Sequence, residues 1–211
     1  MQYGRFAPWL SKPATEGEQD GCCEWCHRHL LSYVSRHSHE MCPDLKSNDL
    51  LSAGDITNMS HQGFLGQAGK CFSFDSRAAG YARGEGVGSV IVKRLSDAVH
   101  DGDTIRAVIR GTGVNQDGKT PGLTLPDSAA QESLIRSVYA SAGLSFLDTA
   151  MVEAHGTGTA VGDPIEANAL ARAFRDRPKD SPLIVGAVKS GTGHLEGAAG
   201  VAGYALLAFI Y

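Results

Sequence analysis

Two histidines sit in turns of the same kind. His155 lies in AMVEAHGTGTAVGDPIEANAL (150–170) and His194 in PLIVGAVKSGTGHLEGAAG (182–200). In each stretch an apolar run fits a buried strand, a Gly/Thr cluster breaks it, and a helix-compatible pattern follows. A histidine at a helix N-terminus sits in a positive field, which favours the neutral imidazole. A neutral imidazole donates one hydrogen bond to an oxyanion or enolate without delivering a full charge. Two such donors converging on one oxygen form an electrophilic cradle. Lys189 lies five residues before His194, at the strand end, where it could orient a ring or balance a carboxylate. The plainer alternative is that each histidine only satisfies backbone groups in its turn.

A second cluster lies near the N-terminus. CCEWCHRHLLSYVSRHSHEMC (22–42) holds Cys22, Cys23, Cys26 and Cys42 together with His27, His29, His37 and His39. Cys23 to His27 matches the C-x-x-C-H pattern of covalent haem attachment, but that chemistry belongs to exported chains, and the N-terminal residues have no signal-peptide core. Cys23 and Cys26 are spaced for zinc, with His37, His39 or Cys42 as partners, although the second pair lacks a standard spacing. The preferred reading is an atypical leader whose thiols and imidazoles are inert, with no metal ligand assigned. Two phosphate-loop resemblances also fail on context. Gly113 to Thr120 fits G-x-x-x-x-G-K-[ST], but Pro121, Gly122 and Pro126 follow where a helix must start. GEGVGS (84–89) precedes a strand instead of following one.

The positioning elements follow from the pattern. The chain has 211 residues, 42% hydrophobic and 20% charged, with a formal charge of −4. It reads as soluble and globular, with no basic stripe for nucleic acid. The longest weakly polar run, 197–211, falls short of the ~20 residues a membrane span needs. A cytoplasmic protein is expected. Only Gly4, Gly17, Gly21 and Gly54 of the 26 glycines precede residue 61, so the composition changes there. Residues 1–60 are expected to be a poorly ordered or atypical leader, and 61–211 the folded part. VGSVIVKRL (87–95) and TIRAVIRGTGV (104–114) read as strands of an antiparallel hairpin, with DAVHDGD (97–103) as its turn. Asp127 or Ser128 can cap a helix whose core face carries Leu134, Val138 and Tyr139, and Gly143 can end it. Asp163 can cap the next, with Pro164 at its first position, Glu166 completing the box, and Ile165, Ala169, Leu170 and Phe174 as its core face. The last helix is expected to start near His194. In open α/β sheets, sites form beyond the carboxyl ends of the strands, so two strand–loop–helix units place both histidines at one sheet edge.

VEAHGTGTAVGDPIEANAL and VGAVKSGTGHLEGAAG resemble the two histidine motifs of β-ketoacyl synthases, the ketosynthase domains of polyketide and fatty-acid synthases. FSFDSRAAGYARGEG (72–86) and GTGVNQDGKTPGLTLP (111–126) resemble that family too, and the flavour is that of fungal reducing polyketide synthases. The resemblance covers about residues 62–211. It implies an α/β, thiolase-like fold, here the end of the first half and most of the second. The implied reaction is a decarboxylative Claisen condensation, in which a cysteine takes an acyl group and two histidines stabilise the enolate formed from a malonyl thioester. By motif, His155 and His194 are those histidines, Lys189 is the supporting lysine, and Thr157 and Thr159 contact the phosphopantetheine arm. The implied partners are an acyl carrier protein and a second copy or remaining ketosynthase half, with no bound cofactor.

The family nucleophile stands in Asp-Thr-Ala-Cys-Ser-Ser, and none of the five cysteines has that context. Cys71 falls inside a matched motif where the family carries no nucleophile. Gly191 stands where the family usually has asparagine, and Gly197 where alanine is frequent. The family's closing Gly-Phe-Gly-rich segment is also missing, so truncation at both ends is expected. The favoured reading is a fragment that does not condense alone. One rival is a condensing or decarboxylating enzyme completed by a partner chain, and the other is a metal module in residues 22–42. A half-sheet without its mate is expected to expose strand edges and to be poorly soluble.

Overall fold

The computed structural model describes residues 9–10, 42–49, 53–120, 122 and 125–210. The Cys23, Cys26, His27, His37 and His39 cluster lies outside the described residues, as does the side chain of Cys42. Among the described residues no group of acidic, His and Cys side chains could hold a metal ion. No described helix is long and apolar enough to cross a membrane.

Among the described residues six strands form three pairs. Strand β1 (Trp9–Leu10) runs parallel to β4 (Thr112–Gly113), β2 (Cys42–Asn48) antiparallel to β3 (Gly86–Val92), and β5 (Met151–Glu153) parallel to β6 (Ile184–Gly186). Helix α1 (Ala53–His61) follows β2, and α2 (Leu95–Asp101) follows β3. Helix α3 (Ser128–Ala142) precedes β5, and α4 (Gly162–Ala173) joins β5 to β6. The short α5 (Lys189–Thr192) and a 3-10 turn (Glu196–Ala198) lead into α6 (Ala199–Ile210).

The expected hairpin does not form. Strand β3 pairs with β2 in register from Cys42↔Val92 to Asn48↔Gly86, and 104–111 carry no strand. Three described elements, β1, β2 and all but the last residue of α1, fall within residues 1–60. The expected turn at 97–103 is mostly helix α2. Gly102 closes it in the left-handed region at φ 72°, its N–H reaching Ala98 and Val99 carbonyls. An Arg94–Asp97 ion pair at 2.8 Å braces its first turn. Glycine supplies this C-terminal conformation without a Cβ penalty, so Asp-Gly here ends a helix instead of turning a hairpin.

The core lies where α3 and α4 cover β5. Ile135, Tyr139, Val152, Leu170, Ala173 and Phe174 form one buried cluster. Tyr139 stacks on Phe146 at 4.1 Å and meets Phe174 edge-on at 5.8 Å, geometries that aromatic quadrupoles favour. Its hydroxyl bonds Thr149 Oγ1 at 2.6 Å, so this polar tip is not left bare. Asp127 caps α3 by accepting from Ala130 N at 2.7 Å, and Gly143 ends it at φ 62°, as the sequence suggests. Strand β3 turns Gly86, Gly88, Val90 and Val92 inward and leaves Val87 and Ile91 68% and 67% exposed. A Cβ on Gly88 would meet Val201 of α6 at 2.6 Å, so the missing side chain lets this helix lie on the strand. Ile184 and Val185 of β6 are also exposed.

Candidate active site

Strand β5 delivers Ala154 and His155 into a loop that runs to α4. That loop holds itself by lending its N–H groups to two carboxylates. Glu166 accepts from His155 N at 2.7 Å and from Gly156 N at 2.9 Å. Asp163 accepts from Gly158 N at 3.1 Å, from Thr159 N at 3.2 Å, and from Phe74 N at 2.7 Å across the 72–80 segment. Residues three apart share a helix face, so both carboxylates reach the same loop. Asp163 is therefore not the cap of its own helix: the N-cap is Val161, which makes no side-chain cap bond, and Asp163 is turned back to buried donors that would otherwise be orphaned. Burial raises the Glu166 carboxyl above its ordinary range, while the Gly156 and His155 N–H groups and the Lys189 charge pull the other way. Gly158 holds φ 81°, and a Cβ there would meet Phe72 N at 2.6 Å, so only glycine fits this crossing.

His194 comes from the other unit. Its N–H donates to Ala82 O at 2.7 Å, and its carbonyl accepts from Gly84 N at 2.8 Å. Residues 82–84 thus clamp its backbone in a parallel bridge, Arg83↔His194. A Cβ on Gly84 would clash with Thr192 O, so this approach also depends on glycine. The His194 ring is buried at 6% exposure, tilted against Tyr81 at 5.1 Å. Its Nδ1 accepts from Glu196 N at 3.0 Å. A backbone N–H only donates, so the neutral ring carries its proton on Nε2. His194 precedes α6 by a 3-10 turn and does not begin that helix.

The two rings meet edge to face, with centroids 5.4 Å apart at 84°. Lys189, the first residue of α5, is buried at 6% exposure. Its charge acts on the Glu166 and Glu153 carboxyls and on Cys71. Glu153 accepts from Val188 N at 2.6 Å, which ties the end of β5 to the turn before Lys189. Thr157 is buried, and its Oγ1 lies 3.4 Å from Thr159 Oγ1, which also accepts from Gly162 N at 3.2 Å.

Cys71 is close but spent. It is 4% exposed; its Sγ accepts from Ala82 N at 3.2 Å and donates to Ala82 O at 3.5 Å. Burial pushes its thiol up, away from the thiolate that nucleophilic chemistry needs. Asp163, Glu166, Tyr81, Arg83 and Glu196 all support the site and were not assigned to it from sequence. The Asp163/Glu166 spacing directly after the GTGT turn was the available signal. Gly191 in α5 has open space around an added Cβ and no positive φ. Gly191→Ala is therefore expected to raise stability by about 0.5–1 kcal/mol in urea unfolding, by restricting the unfolded chain. No gain would mean that the α5 backbone is not helical at this position.

The chain belongs to the β-ketoacyl synthase family and has a thiolase-like fold. The family model for the beta-ketoacyl synthase N-terminal domain matches residues 47–98, and that for its C-terminal domain matches 106–210. Among curated relatives, highly reducing polyketide synthase tstA of Talaromyces stipitatus is 55% identical over 177 residues, 78% of this chain. Highly reducing polyketide synthase tazB of Aspergillus terreus is 58% identical over 146 residues, 69% of this chain. The matches span only 7% and 6% of those proteins. The ketosynthase from module 6 of the bacillaene synthase of Bacillus subtilis 168 superposes with TM-score 0.80 at 36% identity, covering 89% of this chain and 33% of that one. An oxazolomycin ketosynthase domain from Streptomyces albus JA3453 gives TM-score 0.77 at 38% identity, covering 81% and 30%.

Proposed function

We propose that His155 and His194 stabilise the enolate formed when a malonyl thioester loses carbon dioxide, the first half of a decarboxylative Claisen condensation. The observation that carries this is the pair of rings 5.4 Å apart, one of them fixed as an Nε2–H donor. The thioester oxygen sits between the rings. The bond from the α-carbon to the carboxylate breaks, its electron pair moves onto the enolate, and carbon dioxide leaves. Hydrogen bonds that strengthen as charge develops on that oxygen lower the barrier. Lys189 supplies a buried compensating charge beside Glu166 and Glu153, and Thr157 and Thr159 meet the phosphopantetheine arm that carries the malonyl group on an acyl carrier protein. The reading places the chain in the cytoplasm, as part of a reducing polyketide synthase.

Condensation also needs an acyl-cysteine. Among the described residues the buried Cys71 is inert, and no cysteine of the sequence stands in the family's nucleophile context. The acyl-cysteine is therefore supplied by another ketosynthase segment or partner chain; without one, the enolate carbon takes a proton and leaves an acetyl thioester. The test is carbon dioxide release and intact mass with malonyl-thioester, then with acyl-thioester. Acetyl-thioester formation without a stable acyl-protein adduct is the expected result. No carbon dioxide release from a chain shown to be folded would overturn the reading, and an adduct on one cysteine would replace it with a complete synthase.

A further inference from the structure

We propose that Arg83 and Glu196 are positioning residues that fix the tautomer of His194; the inference rests on the enolate-stabilising reading above. Glu196 has φ 40°, a left-handed conformation that L side chains rarely adopt. Phe74 is the one other non-glycine residue with positive φ among the described residues. Sequence gives position 196 no local reason to be there, since it is neither glycine nor asparagine. Its reward is the N–H that reaches Nδ1 of His194 at 3.0 Å.

The side chain of Glu196 holds that backbone in place. Its Oε1 stands 3.5 Å from Arg83 Nε, and the two side chains are only 18% and 13% exposed. Charges this enclosed are weakly screened and are held to one arrangement by each other. Arg83 is itself fixed, because its neighbours Ala82 and Gly84 clamp the His194 backbone on both sides. The contacts form a closed circuit. It runs from the His194 backbone through the Arg83 guanidinium and the Glu196 carboxylate to the Glu196 N–H, and back to the His194 ring.

Breaking the ion pair lets Glu196 relax toward the right-handed region, and its N–H swings away from Nδ1. The ring proton can then occupy Nδ1, which turns Nε2 from donor to acceptor. A lone pair facing the enolate oxygen repels it. The pair thus acts on the reaction through the identity of one ring nitrogen and without touching substrate.

The test is nitrogen-15 NMR of histidine-labelled full chain at a pH where the ring is neutral. In the unaltered chain His194 is expected to show the Nε2–H form alone. Arg83→Met and Glu196→Gln are each expected to raise the Nδ1–H population at least tenfold, and Arg83→Lys, which keeps the charge, to restore the original spectrum in good part. Glu196→Gly accepts φ 40° without strain and so protects the fold; it too is expected to mix the tautomers, having lost the ion pair. An unchanged His194 tautomer in folded Glu196→Gln and Glu196→Gly chains would overturn the proposal, as would a Lys variant no different from Met. Decarboxylation is expected to fall roughly tenfold in the same variants, with KM for malonyl-thioester nearly constant. If the unaltered chain released no carbon dioxide, the functional reading would fail, while the tautomer spectra would still decide this proposal.

Discussion

Asp163→Ala is expected to lower the free energy of unfolding by about 4 kcal/mol. Three N–H groups, those of Phe74, Gly158 and Thr159, end on this one carboxylate, which is 3% exposed. A buried donor stripped of its acceptor costs roughly 1–3 kcal/mol, and bonds to a charged acceptor lie toward the upper end. The total stays below the simple sum because the loop relaxes. Asp163→Asn keeps one oxygen and brings an NH2 against N–H donors, so about half the loss is expected. Urea unfolding followed by circular dichroism measures both. A loss for the alanine variant below about 1 kcal/mol would mean that the three N–H groups find other acceptors and that the carboxylate does not organise the loop.

His194→Ala is expected to reduce malonyl-thioester decarboxylation by about 10²–10³, the range found when one preorganised donor to a developing oxyanion is removed. Most of the loss should fall on kcat, because the hydrogen bond strengthens as charge reaches the oxygen. His155→Ala should lose a similar factor. The double variant should lose little more than either single one, since two donors to one oxygen act as a unit. Additive losses would place the rings on different atoms. An unaffected rate in either single variant would remove that histidine from the chemistry.

How much of this was legible depended on sequence separation. The cap at Asp127, the stop at Gly143 and the core face of α3 follow from local rules and stand as read, while on α4 Ala169 and Leu170 are buried, Ile165 is only half-buried, and the buried Phe174 lies just past the helix end. Both histidines were located because each lies within ten residues of the strand that delivers it. The pairing of β3 was misread because a strand's partner is chosen by non-local register, and the partner was β2 in a stretch that composition had set aside. Helix α2 was misread because Asp-Gly serves both a hairpin turn and a helix end. Asp163 was read as a cap because a cap needs only its own helix, whereas its partners include Phe74, 89 residues away. The Arg83–Glu196 contact joins residues from two different motifs, and no spacing rule links them.

The two histidines follow strands of unequal burial. His155 follows β5, which α3 and α4 cover through the cluster around Val152. His194 follows β6, which pairs among the described residues with β5 alone and leaves Ile184 59% exposed. Local opening costs less where fewer apolar contacts are lost, so β6 is expected to open more readily than β5, although each is the other's partner among the described residues. Amide deuterium uptake would then divide the site in time, fast at 184–186 and slow at 151–153. The two rings face each other only while both strands are closed, so the time for which they stay together is expected to be set by the more exposed of the two, β6.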